Sequence, residues 1–260
     1  MSDRADDIQL LGAKVRVRRK GSGPPLLFLH GAGGVPVWLP FFDRLAENFE
    51  VIVPDHPGFG ESDTPPWLRN MGDMAYFYLD LIEALRLRGA SVVGSSLGAW
   101  IAAEAAVRDP RAFGRIVLMA PAGLRVRGAE AGDVFIWNRE ELLKNLFFDP
   151  RLSEQMIRAP MAPEALELQL KNTYTTARLA WEPRFFNPDL KRWLHRIVSP
   201  VQIVWGANDK IFPPSFVEPW LQELPNAVSL VIGECGHLPH VEKSDESARA
   251  ILPFLMVSTS

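Results

Sequence analysis

One stretch decides the fold of this chain: Ser91-Val92-Val93-Gly94-Ser95-Ser96-Leu97-Gly98-Ala99-Trp100. An apolar, β-branched run leads into a Gly-x-Ser-x-Gly pattern, and an alanine-rich run follows it. This order is typical of a strand, a tight turn that exposes a serine, and a helix. Glycine at positions 94 and 98 allows the strand and the helix to approach each other closely. The register of the pattern makes Ser96 the predicted nucleophile.

Two further loops supply the groups that such a serine needs. A serine hydroxyl is a poor nucleophile near neutral pH, so a base must accept its proton, and an acid must orient that base. Asp209 follows the apolar run Val201–Trp205, and His237 follows the run Val228–Ile232. The chain order serine, acid, histidine is the order found with this kind of turn. We therefore predict that Ser96, Asp209 and His237 form a catalytic triad.

The negative charge of a tetrahedral intermediate requires backbone N–H donors. The residue after the nucleophile, Leu97, is expected to provide one donor from the start of its helix. The other donor is expected from the glycine-rich turn His30-Gly31-Ala32-Gly33-Gly34, which follows a continuous apolar run. Ala32 is the first choice for this donor and Gly33 the next, because a backbone donor can be aimed only where side chains leave room.

Length and composition describe an ordinary globular chain. Of its 260 residues, 47% are apolar and 23% are charged, so one α/β domain, or a core with an insertion, is expected. The net charge of −3 gives no reason to expect nucleic acid as a partner. The single cysteine, Cys235, fits a reducing compartment. The sequence shows no signal-peptide core and no membrane-spanning run, so we expect a cytoplasmic protein without a membrane partner.

Short apolar runs alternate with segments of helical periodicity through much of the chain. Such runs are typical of strands buried on both faces of a parallel sheet, and the alternation indicates helices on both faces. A helix is predicted from Asp73 to Leu87 with Asp73 as its N-cap. Another is predicted from Ser244 to Leu255 with Ser244 as its N-cap. The predicted fold class is therefore α/β.

The pattern changes between about residues 122 and 195, where no short β-branched run occurs. Helices are predicted there at 140–148, 163–180 and 188–197, and aromatic side chains crowd the segment. A stretch this long between two strands is too large for an ordinary loop. We predict a helical cap at 122–195, inserted between two parts of a sheet domain at 1–121 and 196–260.

Taken together, these motifs resemble those of the α/β-hydrolase superfamily. The matching residues are His30-Gly31, the loop Asp55-His56-Pro57-Gly58-Phe59-Gly60-Glu61-Ser62-Asp63, the Gly-x-Ser-x-Gly turn, Asp209 and Gly236-His237. The resemblance covers nearly the whole chain outside the cap. It implies the α/β-hydrolase fold: an eight-stranded, mostly parallel sheet with helices on both faces and the cap between strands six and seven. It also implies the capped esterase and carbon–carbon-bond hydrolase branch, since related dehalogenases and epoxide hydrolases use aspartate where this chain has Ser96.

The expected function is cleavage of a small apolar ester through an acyl-enzyme on Ser96, with no cofactor and no metal. Alternatives of the same fold are a carbon–carbon-bond hydrolase of meta-cleavage products, a lactonase and a perhydrolase. The carbon–carbon-bond hydrolases typically carry Asn before the nucleophile, a Ser-Gly-Gly-type oxyanion turn and Trp after the catalytic histidine. This chain has Ser95, His30-Gly31-Ala32 and Leu238 at those positions, which favours ester hydrolysis.

An alternative from another class is a receptor-like protein that keeps the fold and the triad but signals when it binds a ligand, since a fold does not fix a function. Structural roles are expected for three residues near the triad motifs: His30 and His56, which brace their loops, and Cys235 as a small buried side chain. The expected partner is an apolar small molecule, and the sequence predicts no particular oligomeric state.

Overall fold

The structure is a computed structural model that describes residues 4–257. Within these residues the strands are β1 (Arg4–Leu10), β2 (Ala13–Lys20), β3 (Pro25–Leu29), β4 (Glu50–Pro54), β5 (Ser91–Ser95), β6 (Ile116–Met119), β7 (Val201–Gly206) and β8 (Ala227–Ile232). The α-helices are α1 (Pro40–Ala46), α2 (Met71–Ala84), α3 (Leu97–Arg108), α4 (Arg139–Leu146), α5 (Pro150–Arg158), α6 (Pro163–Ala180), α7 (Leu190–Trp193), α8 (Val217–Glu223), α9 (Pro239–Glu242) and α10 (Ser244–Met256). Short 3₁₀-helices lie at Leu194–Arg196 and Pro214–Phe216.

The eight strands of the described residues form one sheet in the order β1-β2-β4-β3-β5-β6-β7-β8. β2 pairs antiparallel with both β1 and β4, and every other pair of neighbours is parallel. This confirms the predicted eight-stranded, mostly parallel sheet. The carboxyl ends of the parallel strands share one edge, so the loops after β3, β5, β7 and β8 meet there.

The core lies in two layers on opposite faces of the sheet. Alternate residues of a strand point to opposite faces. In β3, Leu27 and Leu29 pack with side chains of α2 and α3, whereas Leu26 and Phe28 pack with side chains of α1 and α10. Because helices cover both faces, the central strands consist of apolar residues without alternation.

Four helices, α4 to α7, lie between β6 and β7, where the cap is expected. An aromatic cluster stabilises this segment: the ring of Phe135 lies 5.2 Å from Trp181 and 5.1 Å from Phe185, between centroids. The guanidinium of Arg184 lies 4.2 Å above the Trp181 ring and forms an ion pair with Asp133 at 2.5 Å. The helix α5 is not among the predicted helices; Leu152, Met156 and Ile157 are its apolar side chains apart from the first residue, Pro150.

Two predicted helix caps are wrong. Helix α2 begins one turn earlier than expected, and its N-cap is Asn70, whose side chain accepts a hydrogen bond from the Asp73 amide at 3.0 Å. Asp73 is the reciprocal partner in this capping box and accepts from the Asn70 amide at 3.1 Å. At α10 the N-cap is Lys243. The Ser244 hydroxyl does not cap the helix and instead donates to the carbonyl of His240 at 2.8 Å. Aspartate and serine are common both at the N-cap and in the first turn of a helix. Residue type alone therefore does not show which of these positions Asp73 and Ser244 occupy.

The apolar pattern of the sequence also does not reveal the amino-terminal strand β1. Its sequence, RADDIQL, is mostly polar. Five of its seven residues are either exposed to solvent or charged. Pairing with β2 along its whole length holds it in place.

No helix in residues 4–257 combines the length and the apolar character that a bilayer crossing requires.

One buried histidine in α9 belongs to the core rather than to a loop. His240 packs against Phe28 and Phe41, with ring centroids 5.5 and 5.9 Å apart, and it is 4% exposed. Burial, with a smaller contribution from His237, lowers the pKa of His240 from 6.5 to about 3. The folded protein therefore keeps this side chain neutral over the pH range in which an unfolded chain protonates it.

The buried His240 makes the stability depend on pH. As the pH falls from 6.5 toward about 3, the unfolded chain binds a proton that the folded chain does not, so the free energy of unfolding decreases. This group contributes a slope of up to about 1.4 kcal/mol per pH unit. We expect His240→Leu to remove that contribution, which urea unfolding between pH 6.5 and about 5 measures. Identical slopes for the variant and the wild type would contradict the expectation.

Candidate active site

The turn after β5 holds Ser96 in a strained backbone conformation. Its φ is 54° and its ψ is −111°, and a positive φ is costly for a residue that carries a side chain. Close packing keeps the turn in place: a Cβ added at Gly94 would lie 2.6 Å from the Cα of Ala99, and one added at Gly98 would overlap the carbonyl of Leu29. The strand, the strained serine and the helix are those of a nucleophile elbow.

Ser96, His237 and Asp209 meet in a buried hydrogen-bonded chain. Nε2 of His237 lies 2.9 Å from Oγ of Ser96, and Nδ1 of His237 lies 2.8 Å from Oδ2 of Asp209. The three residues are 6%, 3% and 4% exposed, in that order. Because a carboxylate only accepts hydrogen bonds, Asp209 holds the proton on Nδ1 and leaves Nε2 free to accept the proton of Ser96. The structure thus brings together the three residues that the sequence groups as a triad.

The loop after β7 holds Asp209 through its second oxygen. Oδ1 accepts hydrogen bonds from the amides of Ile211 at 2.8 Å and Phe212 at 3.0 Å. The Phe212 ring packs edge-on against the imidazole of His237 at 5.5 Å, and its carbonyl accepts from the indole N–H of Trp205 at 2.8 Å. Both the carboxylate and the imidazole are therefore held by groups of one short loop.

The loop after β8 is fixed partly by the cap. The amide of His237 donates to the carbonyl of Leu146 at 2.8 Å. The carboxylate of Glu242 accepts from the amide of Gly236 and from the amide of Asp149, both at 2.6 Å. Glu242 therefore joins the histidine loop to the start of α5. The sequence gives no sign of this role, because the bonded atoms of Asp149 and Glu242 lie 93 positions apart.

The glycine turn, residues 30–34, lies directly against the elbow. Gly34 N–H donates to the carbonyl of Gly31 at 3.0 Å and closes the turn. A Cβ added at Gly31 would lie 3.5 Å from the Cβ of Ser96. Neither the Ala32 amide nor the Leu97 amide donates to a turn or loop carbonyl of the described chain. These two expected oxyanion donors therefore remain available next to the serine.

Two stacked histidines support the glycine turn. The rings of His30 and His56 lie 3.6 Å apart between centroids. The amide of His56 donates to Nε2 of His30 at 3.1 Å, so Nδ1 carries the His30 proton and donates to the Gly31 carbonyl at 2.7 Å. Nε2 of His56 donates to the His30 carbonyl at 2.8 Å, and its Nδ1 accepts from the hydroxyl of Tyr78. Burial lowers the pKa of both histidines, which agrees with neutral rings that brace their loops.

Cap helix α6 also contacts the edge of the site. Asn172 bonds to Gly33 in the glycine turn and to Gly60 in the loop of residues 55–63. The sequence does not distinguish Asn172, since an asparagine within a helical segment carries no recognisable signal. Within residues 4–257, no group of three His, Cys, Asp or Glu side chains has an arrangement that would hold a metal ion.

Comparison with known proteins places this chain in a family. The model of the alpha/beta hydrolase family matches residues 26–250, from β3 to within α10. The chain belongs to the alpha/beta hydrolase family. It is therefore a hydrolase, and the elbow, the histidine loop and the glycine turn lie in the part of the chain that the family shares.

Curated relatives of this alpha/beta hydrolase include enzymes of two kinds. The dihydrolipoyllysine-residue acetyltransferase component of an acetoin cleaving system from Cupriavidus necator is 30% identical over 253 residues. That match covers 90% of this chain but only 64% of the relative's length. The 2-hydroxy-6-oxononadienedioate/2-hydroxy-6-oxononatrienedioate hydrolase from Paraburkholderia phymatum is 28% identical over 272 residues, which cover 94% of this chain and 92% of the relative.

Solved structures share the fold of this hydrolase at low identity. A bacterial membrane phospholipase A has a TM-score of 0.82 at 24% identity and matches 97% of this chain and 86% of that one. The naproxen esterase of Bacillus subtilis has a TM-score of 0.79 at 18% identity, with 97% and 91% covered. A meta-cleavage product hydrolase from Pseudomonas fluorescens has a TM-score of 0.76 at 22% identity, with 96% of each chain covered. These likenesses concern the fold.

The cysteine next to the histidine loop is expected to be unreactive. Burial raises the pKa of the Cys235 thiol from 9.0 to about 12, and the residue is 0% exposed. Since only the thiolate reacts, this pKa lowers the reactive fraction on the order of 1,000-fold. We expect iodoacetamide to label Cys235 in urea but to leave the folded hydrolase unlabelled over the same time, as mass spectrometry measures. Comparable labelling rates in both conditions would contradict the assignment of Cys235 as a purely structural residue.

Proposed function

We propose that this hydrolase cleaves small apolar esters through a covalent acyl-enzyme on Ser96. The observation that supports the proposal best is the buried chain of Asp209, His237 and Ser96, with hydrogen bonds of 2.8 and 2.9 Å. A base within hydrogen-bond reach of a serine, itself oriented by a carboxylate, is the arrangement that activates serine for acyl transfer.

In the proposed reaction, Oγ of Ser96 attacks the ester carbonyl while Nε2 of His237 accepts the serine proton. Asp209 keeps the imidazole in place and stabilises the imidazolium. The amides of Ala32 and Leu97 donate to the oxyanion of the tetrahedral intermediate. When this intermediate collapses, His237 protonates the departing alcohol and the acyl group remains on Ser96. Water then gives its proton to His237 and attacks the acyl carbonyl, which releases the acid and restores Ser96.

The preference for an apolar substrate rests on the side chains between the triad and the cap. The ring of Phe212, next to His237, lies 6.2 Å from the ring of Phe185. Phe185 stacks in turn on Phe135 in the cap. Aromatic rings therefore continue from the proposed base into the cap. We infer that this aromatic cluster borders the bound substrate and favours apolar groups; exclusion of water by a closed cap would strengthen hydrogen bonds to the oxyanion.

The second candidate function is hydrolysis of a carbon–carbon bond in a vinylogous diketone. It is supported by the relative from Paraburkholderia phymatum, which this chain matches over 92% of its length, and by the fold shared with a meta-cleavage product hydrolase. Ester hydrolysis is preferred because the positions held in that group by Asn before the nucleophile and Trp after the histidine are Ser95 and Leu238 here. Both reactions would use the same triad.

The nucleophile assignment leads to a matched pair of variants. Ser96→Ala should lower kcat for p-nitrophenyl butyrate by about 10⁴-fold or more, because no hydroxyl remains to be acylated. Ser95→Ala is the control: the Ser95 hydroxyl is buried and makes no hydrogen bond within the described chain, so kcat should stay within about tenfold of the wild type. Loss of activity in Ser95→Ala together with an active Ser96→Ala would show that the register is wrong.

The choice among the candidate reactions is tested by kcat/KM over a set of substrates. We expect short p-nitrophenyl and naphthyl esters to exceed a 2-hydroxy-6-oxo-dienoate by about 100-fold or more, corresponding to roughly 3 kcal/mol of transition-state stabilisation. The reverse order would establish the carbon–carbon-bond reaction instead. Tight binding of a ligand without turnover of any substrate would favour the receptor-like alternative.

A further inference from the structure

Cap helix α6 reaches the core through three polar side chains on one face. Nζ of Lys171 donates to the carbonyls of Gly60 and Ser62. The hydroxyl of Thr175 donates to the carbonyl of Gly58 at 2.7 Å. Asn172, between them, bonds to both the 55–63 loop and the glycine turn. Every partner on the core is a backbone atom.

The bonds of Asn172 define the orientation of its amide group. Nδ2 donates to the carbonyl of Gly33 at 2.9 Å, and Oδ1 accepts from the amide of Gly60 at 2.9 Å. A carbonyl only accepts and an N–H only donates, so the two neighbours allow one orientation of the side chain. Asn172 is 6% exposed, so water does not replace these bonds without movement of the cap.

The core is shaped to receive these side chains closely. Gly34 has φ +75°, and a Cβ added there would lie 2.7 Å from Nδ2 of Asn172. Gly58 has φ +83°, and a Cβ added there would lie 2.6 Å from Cγ2 of Thr175. Glycine is needed at both positions for the conformation and for the approach of α6.

Two peptide groups connect Asn172 to the proposed oxyanion donor. The first, between Gly33 and Gly34, offers its carbonyl to Asn172 and its N–H to the carbonyl of Gly31 at 3.0 Å. That carbonyl belongs to the second peptide group, whose N–H is the amide of Ala32. Because a peptide group is planar, fixing the Gly33 carbonyl also restricts the direction of the Ala32 N–H.

We propose that Asn172 is a positioning residue of the cap that aims the Ala32 amide at the oxyanion. This inference rests on the proposed function for the role of Ala32. Docking of α6 completes the oxyanion site. Separation of the cap from the core releases the Gly33 carbonyl, so the glycine turn keeps its support from His30, whose Nδ1 donates to the Gly31 carbonyl, but loses its support from α6. Stabilisation of the transition state therefore depends on a closed cap.

The test uses Asn172→Asp, with Lys171→Ala as its matched control. The aspartate keeps the acceptor for Gly60 N–H but cannot donate to the Gly33 carbonyl, whereas Lys171→Ala removes a contact between α6 and the 55–63 loop only. We expect Asn172→Asp to slow phosphonylation of Ser96 by a fluorophosphonate about 10- to 100-fold, since a shift of the donor by about 1 Å has that effect. Lys171→Ala should stay within about threefold of the wild type.

Two further readouts separate positioning from a merely structural role. With a turned-over ester, kcat per titrated site should fall in Asn172→Asp while KM stays within about threefold. The affinity for a trifluoromethyl ketone, which forms a tetrahedral adduct, should fall in proportion to kcat/KM. If circular dichroism shows that Asn172→Asp does not fold, Asn172→Ala is used in its place, since it buries no new charge.

The outcomes distinguish this inference from the proposed function. Equal slowing of phosphonylation in Asn172→Asp and Lys171→Ala would mean that the cap is merely loosened, and would overturn the positioning role. A wild-type phosphonylation rate in Asn172→Asp would overturn it as well. If the wild type is phosphonylated at Ser96 but hydrolyses no ester, the ester proposal fails, while the effect of Asn172 on the phosphonylation rate still decides the inference.

Discussion

The close approach of β5 to α3 leaves no space for a side chain at position 94 or 98, and the rest of the site depends on this constraint. With glycine at positions 94 and 98, the turn fits between the strand and the helix, and Ser96 adopts its positive φ. Backbone bonds to the end of β6 hold it there, from Ser96 N–H to the Met119 carbonyl at 2.8 Å and from Ala122 N–H to the Ser96 carbonyl at 3.2 Å. The loops after β7 and β8 therefore bring Asp209 and His237 to a serine whose position is already fixed.

The two buried histidines beside this point, His30 and His56, are hydrogen-bonded through both ring nitrogens. The stacked imidazoles of His30 and His56 use each ring nitrogen once, and Tyr78 completes the set. Such a satisfied network is rigid, because rotation of any member leaves a buried donor or acceptor without a partner. The glycine turn has few side chains of its own, so its shape comes from these neighbours on one side and from α6 on the other.

The sequence predicts those features that rest on local patterns. The apolar runs of the parallel strands, the elbow glycines and the strand-end positions of Asp209 and His237 are each visible within a few residues. Asn172 and Glu242 are not visible in this way, because their partners lie 139 and 93 positions away along the chain. Nothing in the local sequence distinguishes these two residues from other polar residues. The misplaced caps at Asp73 and Ser244 have a related cause, since several polar residues near each helix start compete for the same amides. The mostly polar strand β1 is held by its pairing with β2 and by the packing of Ile8 and Leu10 against the core, neither of which its own sequence reveals.

The exclusive use of backbone atoms by the core where α6 docks has a consequence for how this protein can change over evolutionary time. Carbonyls and amides of the glycine turn and the 55–63 loop persist whatever side chains mutate, provided that the glycines remain. The core therefore offers a constant attachment point for α6, and the docking of this helix needs only its short polar face. Cap residues away from such contacts can diversify, so new substrate preferences can arise without redesign of the triad.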